Sequence, residues 1–278
     1  MDGSNALGGF LRARREQVRP EDVGLAVSGR RRTPGLRREE VALLAGISTD
    51  YYLRLEQGRD RTPSTQVLDA VAGVLRMDHD QIAYLHALNR RRSRHGEPPP
   101  SEDVPDGTLR LLDALPMPAF VQDRYLNVLA ANPTAEALSP TMRPGANRLV
   151  AAFLDPHEAE LHEDWERLTA AAVGQLRATV GAEPDDPRLL SLVGGLCAES
   201  ERFRRLWARQ DVVRPSGGMA RLRHPDVGCL ELYREKLVIA GTGGQTLVIY
   251  HAEAGSASAR ALDLLTLSST PDRGAARL

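Results

Sequence analysis

The sequence predicts a two-domain chain, with an all-α domain of five short helices over residues 1–95 and an α+β domain with an antiparallel sheet over 108–268. Nearly every periodic stretch before His95 repeats its apolar residues at helical spacing. After Gly107 the pattern is mixed: strand-like alternation near 118–131 and 219–251 brackets helical periodicity from about 147 to 209. Between them HGEPPPSEDVPDG is rich in proline, charge and glycine and has almost nothing to bury, so 96–107 reads as a linker. A length of 278 residues at 42% hydrophobic content is enough for a core in each part. A last helix is expected over Ser256–Leu267, and 269–278 is expected to be a disordered tail.

The net charge of −1 conceals an asymmetry. Residues 1–95 carry 17 Arg against 12 Asp plus Glu, whereas the remainder carries 19 basic and 25 acidic residues. A basic half with Arg30, Arg31, Arg32, Arg37 and Arg38 close together suits a polyanion, although a solvated surface in an arginine-rich chain with a single lysine, Lys236, would look the same. No apolar run approaches the roughly 18 residues of a membrane span, and the N-terminus lacks the layout of a signal peptide, so a cytoplasmic location with no membrane partner is expected. Cys197 and Cys229 make neither a disulfide framework nor a zinc spacing and are expected to be small buried hydrophobes.

The first helix runs from about Leu7 to Gln17. A polar, arginine-rich insertion follows, and the second helix starts near Leu36 with Val41, Leu44 and Ala45 at inward spacing. Gly46 suits a left-handed cap that ends it. Ser48 caps the third helix, Ser48–Gln57, and Ile47 and Tyr52 are placed as a hydrophobic staple. Pro63 and Ser64 start a fourth helix with Leu68, Val71, Ala72 and Leu75 inward, and Asp78 with Gln81 starts a fifth with Ile82, Leu85 and Leu88 inward. The second and third helices make a tight helix-turn-helix. With Tyr52 and Leu55 buried, Thr49, Asp50, Tyr51 and Arg54 face outward near the N-terminal half of the third helix, the part of a recognition helix that reaches base edges.

The stretch RRTPGLRREEVALLAGISTDYYLRLEQGRDRTPS resembles the repressor-type helix-turn-helix of the xenobiotic-response-element family, in particular its MmyB-like branch. The resemblance rests on RRTPGLRREEVA, the turn AGIS, YYLRLEQGR and the following PS, and covers about 80 residues. It implies that Thr49, Asp50 and Arg54 read bases and that Arg38 braces the phosphate backbone of a double-stranded operator. By chemistry, Arg54 suits guanine, Asp50 can accept from the cytosine amino group, and Thr49 offers a methyl to thymine. Arg38 stands where many relatives carry glutamine, which favours a phosphate contact. Asp50 could instead act by repelling phosphate. The DNA-binding candidates are Arg30, Arg31, Arg32, Arg37, Arg38, Ser48, Thr49, Asp50, Tyr51 and Arg54.

In the second half, LPMPAFVQDRYLNVLAANPTAEAL reads as a strand at Ala119–Gln122, a turn at Asp123–Tyr125, a strand at Leu126–Ala130 and a helix begun by Asn132 and Pro133. It resembles the opening of a PAS-like sensor domain. FRRLWARQDV and RHPDVGCLELYREKLVIAGTGGQTLVIYHAE are similar to the C-terminal part of the MmyB-like ligand-binding domain, with Gln210 where relatives commonly place histidine. Strands near the end, with a turn at Gly241–Gly244, would complete a sheet with helices on one face. Phe120, Phe153, Trp165, Leu196, Phe203, Trp207, Tyr233, Ile239 and Ile249 are the large candidates for lining a cavity there, although they would equally serve to fill a core. The resemblance implies that some relatives accept a fatty-acid-like or other apolar effector.

Other chemistry fits less well. HEAELH, His157–His162, lacks the four-residue histidine spacing of a zinc peptidase, and both histidines read as part of a solvated face. GTGGQ lacks the lysine of a phosphate loop, and no serine sits in a nucleophile elbow. The expected protein is a homodimeric, sequence-specific DNA-binding transcription regulator, not an enzyme, with no catalytic residue, metal or resident cofactor. A constitutive regulator whose second domain only dimerises remains open, as do a heme-based sensor and an enzyme.

Overall fold

The computed structural model describes residues 5–25, 35–59, 63–180, with the exception of 92–102, then 186–213 and 217–269. Arg30, Arg31, Arg32, most of the expected linker and the tail from 270 lie outside the described residues. The chain divides into two compact units. One comprises Met1–Glu97, Arg177–Gly194 and Arg204–Arg214; the other comprises Pro98–Leu176, Gly195–Phe203 and Pro215–Leu278. The division differs from the expected one, because two stretches of the second half pack with the N-terminal helices.

In the first unit five helices surround one core: α1 (Ala6–Gln17), α2 (Arg38–Ala45), α3 (Thr49–Glu56), α4 (Thr65–Val74) and α5 (His79–Arg91). Phe10, Leu11, Leu36, Val41, Tyr52, Leu55, Leu68, Val71 and Leu85 are fully buried there. Each such side chain contributes about 1.5 to 3 kcal/mol by leaving water. The local signals behave as the sequence implies. Gly46 ends α2 at φ 69°, and the Ser64 hydroxyl accepts from the Val67 amide. Asp78 and Gln81 exchange backbone-to-side-chain hydrogen bonds at the start of α5. Leu44 departs from its expected inward position: it is exposed, and Ala42 takes the buried place beside Val41. In a helix of two turns ended by Gly46, one narrow stripe is enough to meet the core.

The helices of the second half are α6 (Asp106–Ala114), α7 (Pro133–Leu138), α8 (Arg148–Leu154), α9 (Pro156–Leu161), α10 (Trp165–Val180), α11 (Pro187–Glu199), α12 (Glu201–Ala208) and α13 (Ala257–Ser269). The ends of α10 and α12 join the first unit through buried arginines. Arg14 donates to the Arg209 carbonyl and to Asp211 Oδ1, both at 2.8 Å, and Gln17 donates to the same carbonyl at 2.7 Å. Arg177 donates to the Trp207 carbonyl at 2.7 Å and to Gln210 Oε1 at 2.6 Å, with its guanidinium 3.8 Å from the centre of the Trp207 ring. These carbonyls stand at the end of α12, where the ladder of helical amides runs out: the Trp207 carbonyl keeps a long bond of 3.4 Å from the Gln210 amide, and guanidinium donors supply the closer contacts. Val212 completes the contact by packing into the helical core. Gln210 therefore has a polar role, as the acceptor for Arg177.

The second unit is built on a five-stranded antiparallel sheet in the order β2-β1-β5-β4-β3, with β1 Ala119–Gln122, β2 Val128–Ala131, β3 Gly218–His224, β4 Gly228–Val238 and β5 Thr246–His251. β2 begins later than Leu126, because Asp123 Oδ1 accepts from the Tyr125 and Asn127 amides and Leu126 turns the chain at φ 70°. On one face Phe120, Leu222, Leu230, Leu232, Val248 and Tyr250 meet α7, α9 and α13. The other face is not bare as expected. Leu112 of α6 packs there with Ala119, Val121, Leu247, Ile239 and Ile249. Cys229 is exposed and Cys197 half-buried, so neither is a full core residue. Strand alternation turns Cys229 away from the face that holds Leu230.

Candidate nucleic-acid interface and ligand cavity

The recognition helix α3 is fixed from both sides. The Ser48 hydroxyl accepts from the Tyr51 amide at 3.1 Å, and Tyr52 and Leu55 anchor the inner face with no exposure. Thr49, Asp50 and Arg54 are exposed, and Tyr51 is half-buried beneath the Arg54 guanidinium, 5.5 Å from its ring centre. The four outward candidates are thus presented together along one helix.

Behind them lies an ionic cluster that sequence reading did not assemble. Glu56, with a side chain 2% exposed, accepts from Arg15 Nε on one carboxylate oxygen and from Arg38 Nε on the other, each at 2.6 Å. Arg15 also donates to the Leu36 carbonyl at 2.8 Å. Burial works against the Arg15 charge, but the Glu56 carboxylate more than offsets it, so the Arg15 pKa is raised. Burial, followed by the same carboxylate, pushes the Tyr52 phenol well above its usual range. Arg38 remains 43% exposed, held in place at the surface. Arg37 is exposed at the start of α2, where its amide donates to Glu40 at 2.7 Å and its guanidinium pairs with Glu39 at 3.3 Å. Gly8 allows α1 to approach α3 closely, since an added Cβ would lie 2.1 Å from the Glu56 carbonyl oxygen.

In the second unit a cavity of about 60 Å³ lies on the sheet face that carries Phe120, Val248 and Tyr250. Arg148 and Ala152 come from α8, and Leu168, Ala172 and Gln175 from α10. Arg234 and Lys236 project from β4 into the same space. Cross-strand pairing explains this, for Arg234 is opposite Tyr250 and Lys236 opposite Val248. A second cavity of about 150 Å³ is also lined by Leu168 and Arg234 and runs toward Met219 and Arg221.

Of the nine expected lining residues, Phe120 lines the first cavity. Phe153 and Phe203 meet edge to face at 5.2 Å, Leu196 is buried, and Trp165 donates from its indole to the Ala152 carbonyl at 2.7 Å. Trp207 lies under Arg177 in the helical unit. Tyr233 is 39% exposed and stacks on His251. Ile239 and Ile249 lie on the opposite sheet face. The polar lining was missed, yet it had a signal: Leu230, Leu232, Arg234 and Lys236 share one strand parity, so two cations continue an inward-facing row.

The HEAELH stretch is not a solvated face throughout. Glu158 and His162 are buried on one side of α9, their ionic atoms 3.4 Å apart, while His157 is exposed. Glu158 also pairs with Arg148 at 3.1 Å and accepts from the Ser139 and Thr141 hydroxyls. Burial alone would raise the Glu158 pKa; the His162 contact, the Arg148 charge and the two hydroxyls outweigh it and hold the carboxyl well below its usual range. No group of three metal-ligating side chains occurs among the described residues. Nor is any described helix long and apolar enough to cross a membrane.

A capped recognition helix with an exposed polar face defines the class as a DNA-binding helix-turn-helix regulator, and a helix-turn-helix domain family matches residues 6–85. The chain belongs to the family of the MmyB-like transcription regulator ligand binding domain, which matches residues 104–265. No curated protein matches it.

Proposed function

We propose that this chain is a cytoplasmic, homodimeric, sequence-specific regulator whose second unit, PAS-like in layout, binds a small molecule with an apolar body and so changes DNA affinity. The observation that carries the DNA reading is the joint exposure of Thr49, Asp50 and Arg54 on a helix whose neighbour, Arg38, is held at the surface by Glu56. Thr49, Asp50 and Arg54 read base edges, Ser48 and Tyr51 support them, and Arg37 and Arg38, with Arg30, Arg31 and Arg32, contact phosphates. Ligand response is supported by the cavity beside Phe120, which a purely dimerising unit would not need. The effector acts by binding one arrangement of the dimer better than another.

Selection of DNA from a random pool by the full chain tests the reading. The expected product is a motif with two half-sites spaced by about one helical turn or a multiple of it. Recovery of unenriched DNA would overturn sequence-specific binding, and a single half-site would overturn the dimer.

A further inference from the structure

The face of the sheet turned away from Phe120 is covered unevenly. Leu112 of α6 packs over Ala119 and Val121 of β1 and Leu247 of β5, whereas the outward residues of β4 and β3 stay exposed. β4 presents Tyr233 at the middle of its row, with Glu231 and Glu235 on either side and Leu237 beyond. β3 sets Met219 beside Tyr233 and Arg221 beside Glu231, and at the far end Arg223 lies beside Cys229. α6 borders this strip with an exposed leucine on each flank, Leu109 and Leu111. A packed helix and a packed sheet each make a layer of about 10 Å, so a two-stranded ribbon would fill the step beside α6. The four charges of the strip, Arg221, Arg223, Glu231 and Glu235, sum to zero. Arg221 pairs with Glu231 at 3.1 Å, Arg223 with Glu163 at 3.6 Å, and Glu235 stands 4.0 Å from His251. A balanced strip does not suit a polyanion or an anionic membrane surface; an aromatic centre with a charged rim is the layout of a protein contact.

We propose that this strip is the contact between two copies of the chain, related by a two-fold axis that runs along the strands midway between β3 and β4. The inference rests on the homodimer proposed above and names its surface. The strand register fixes what such an axis brings together. Residues paired across β3 and β4 stand at the same height, so each β3 side chain meets the copy of its own cross-strand partner. Met219 meets Tyr233 of the second copy and Arg221 meets Glu231 of the second copy, each twice over by symmetry. An axis along β4 itself would set Glu231 and Glu235 against their own copies, and one along β3 would do the same to Arg221 and Arg223. Like charges disfavour both, and the charge pattern thereby selects the axis between the strands. In that arrangement each α6 stands against the β3 edge of the second copy. The strip and the α6 flank give roughly 600 Å² per copy, or about 1,200 Å² in all, the lower bound of a stable specific contact, so association in the micromolar range is expected.

Sedimentation of the full chain without DNA, together with cross-linking through its exposed Cys229, tests the assignment. The two Cys229 thiols would lie one strand spacing and one side-chain layer apart, roughly 7 to 9 Å, within reach of a bismaleimide with a two-carbon spacer. The expected results are a concentration-dependent dimer and a peptide linked from Cys229 to Cys229. Tyr233→Asp, shown to be folded by its thermal transition, should raise the dimer Kd by about tenfold or more. Arg221→Glu and Glu231→Arg sit on exposed side chains and should leave the thermal transition nearly unchanged. Each should raise the dimer Kd by about five- to tenfold, and the double variant, which restores opposite charges across the axis, should return to within about twofold of the wild type. A dimer that yields no Cys229 link, or that forms equally well in all these variants, would overturn this surface and leave the homodimer standing. A chain that stays monomeric up to about 200 μM would overturn the surface and the homodimer together, and would leave the strip to a different protein.

Discussion

Glu56 on the recognition helix holds Arg38 at 2.6 Å through one carboxylate oxygen while the other holds the buried Arg15 of α1 at the same distance. One carboxylate thus ties a surface cation to the helical core. Glu56→Ala leaves Arg15, 6% exposed, with only the longer contact to Glu16 at 3.8 Å, and should cost about 3 to 5 kcal/mol in urea unfolding. Arg38→Ala leaves the Arg15 pair intact and should be milder. It should weaken all DNA sequences alike and lower the salt slope by about one unit. A loss confined to one base position would contradict the phosphate assignment.

Arg54 is exposed on α3 and packs over the Tyr51 ring. Arg54→Ala should therefore leave the thermal transition nearly unchanged. On the best operator it should cost about 1 to 3 kcal/mol and relax preference at one base pair. Unchanged specificity in a competition binding assay would show that this side chain does not read a base.

Gly8 is required by a close approach, with backbone oxygen of Glu56 2.1 Å from the position of an added Cβ. The obstacle is backbone, so α1 and α3 must separate to admit alanine. Gly8→Ala is expected to destabilise by about 1 to 3 kcal/mol, visible as a lower Tm. Gly9, whose Cβ would meet nothing within 4 Å, provides the control: Gly9→Ala should be neutral or slightly stabilising.

Glu158 has a folded-state pKa below its ordinary value of 4.5, so the folded state binds fewer protons than the unfolded state as the pH falls below that value. Its contribution to stability is complete above about pH 4.5 and is lost as the pH falls through the folded-state pKa. Glu158→Ala should cost about 3 to 5 kcal/mol at pH 7, because it leaves Arg148 uncompensated. The gap to the wild type should narrow steadily in unfolding series taken at lower pH. A gap independent of pH would mean that packing, and not charge, stabilises this cluster.

Features under short-range control are legible in the chain alone. Ser48, Ser64, Gly46 and the Asp78–Gln81 pair act over three or four residues, so their helix starts and stops follow from local residue order. Helical periodicity likewise places Tyr52 inward and Thr49, Asp50 and Arg54 outward. Features that depend on distant partners are settled only by tertiary packing. Arg15 and Glu56 are 41 residues apart, and no local pattern marks them as a pair. The order β2-β1-β5-β4-β3 places the last strand beside the first, which puts Ile249 and Phe120 on opposite faces and brings Arg234 and Lys236 over the same face as Phe120. Trp207 reads as a cavity aromatic in sequence, yet it stacks under Arg177 because the end of its helix needs donors that a segment 30 residues earlier supplies. Side-chain alternation says that a residue has a face, whereas only the pairing of strands and the docking of helices say what that face meets.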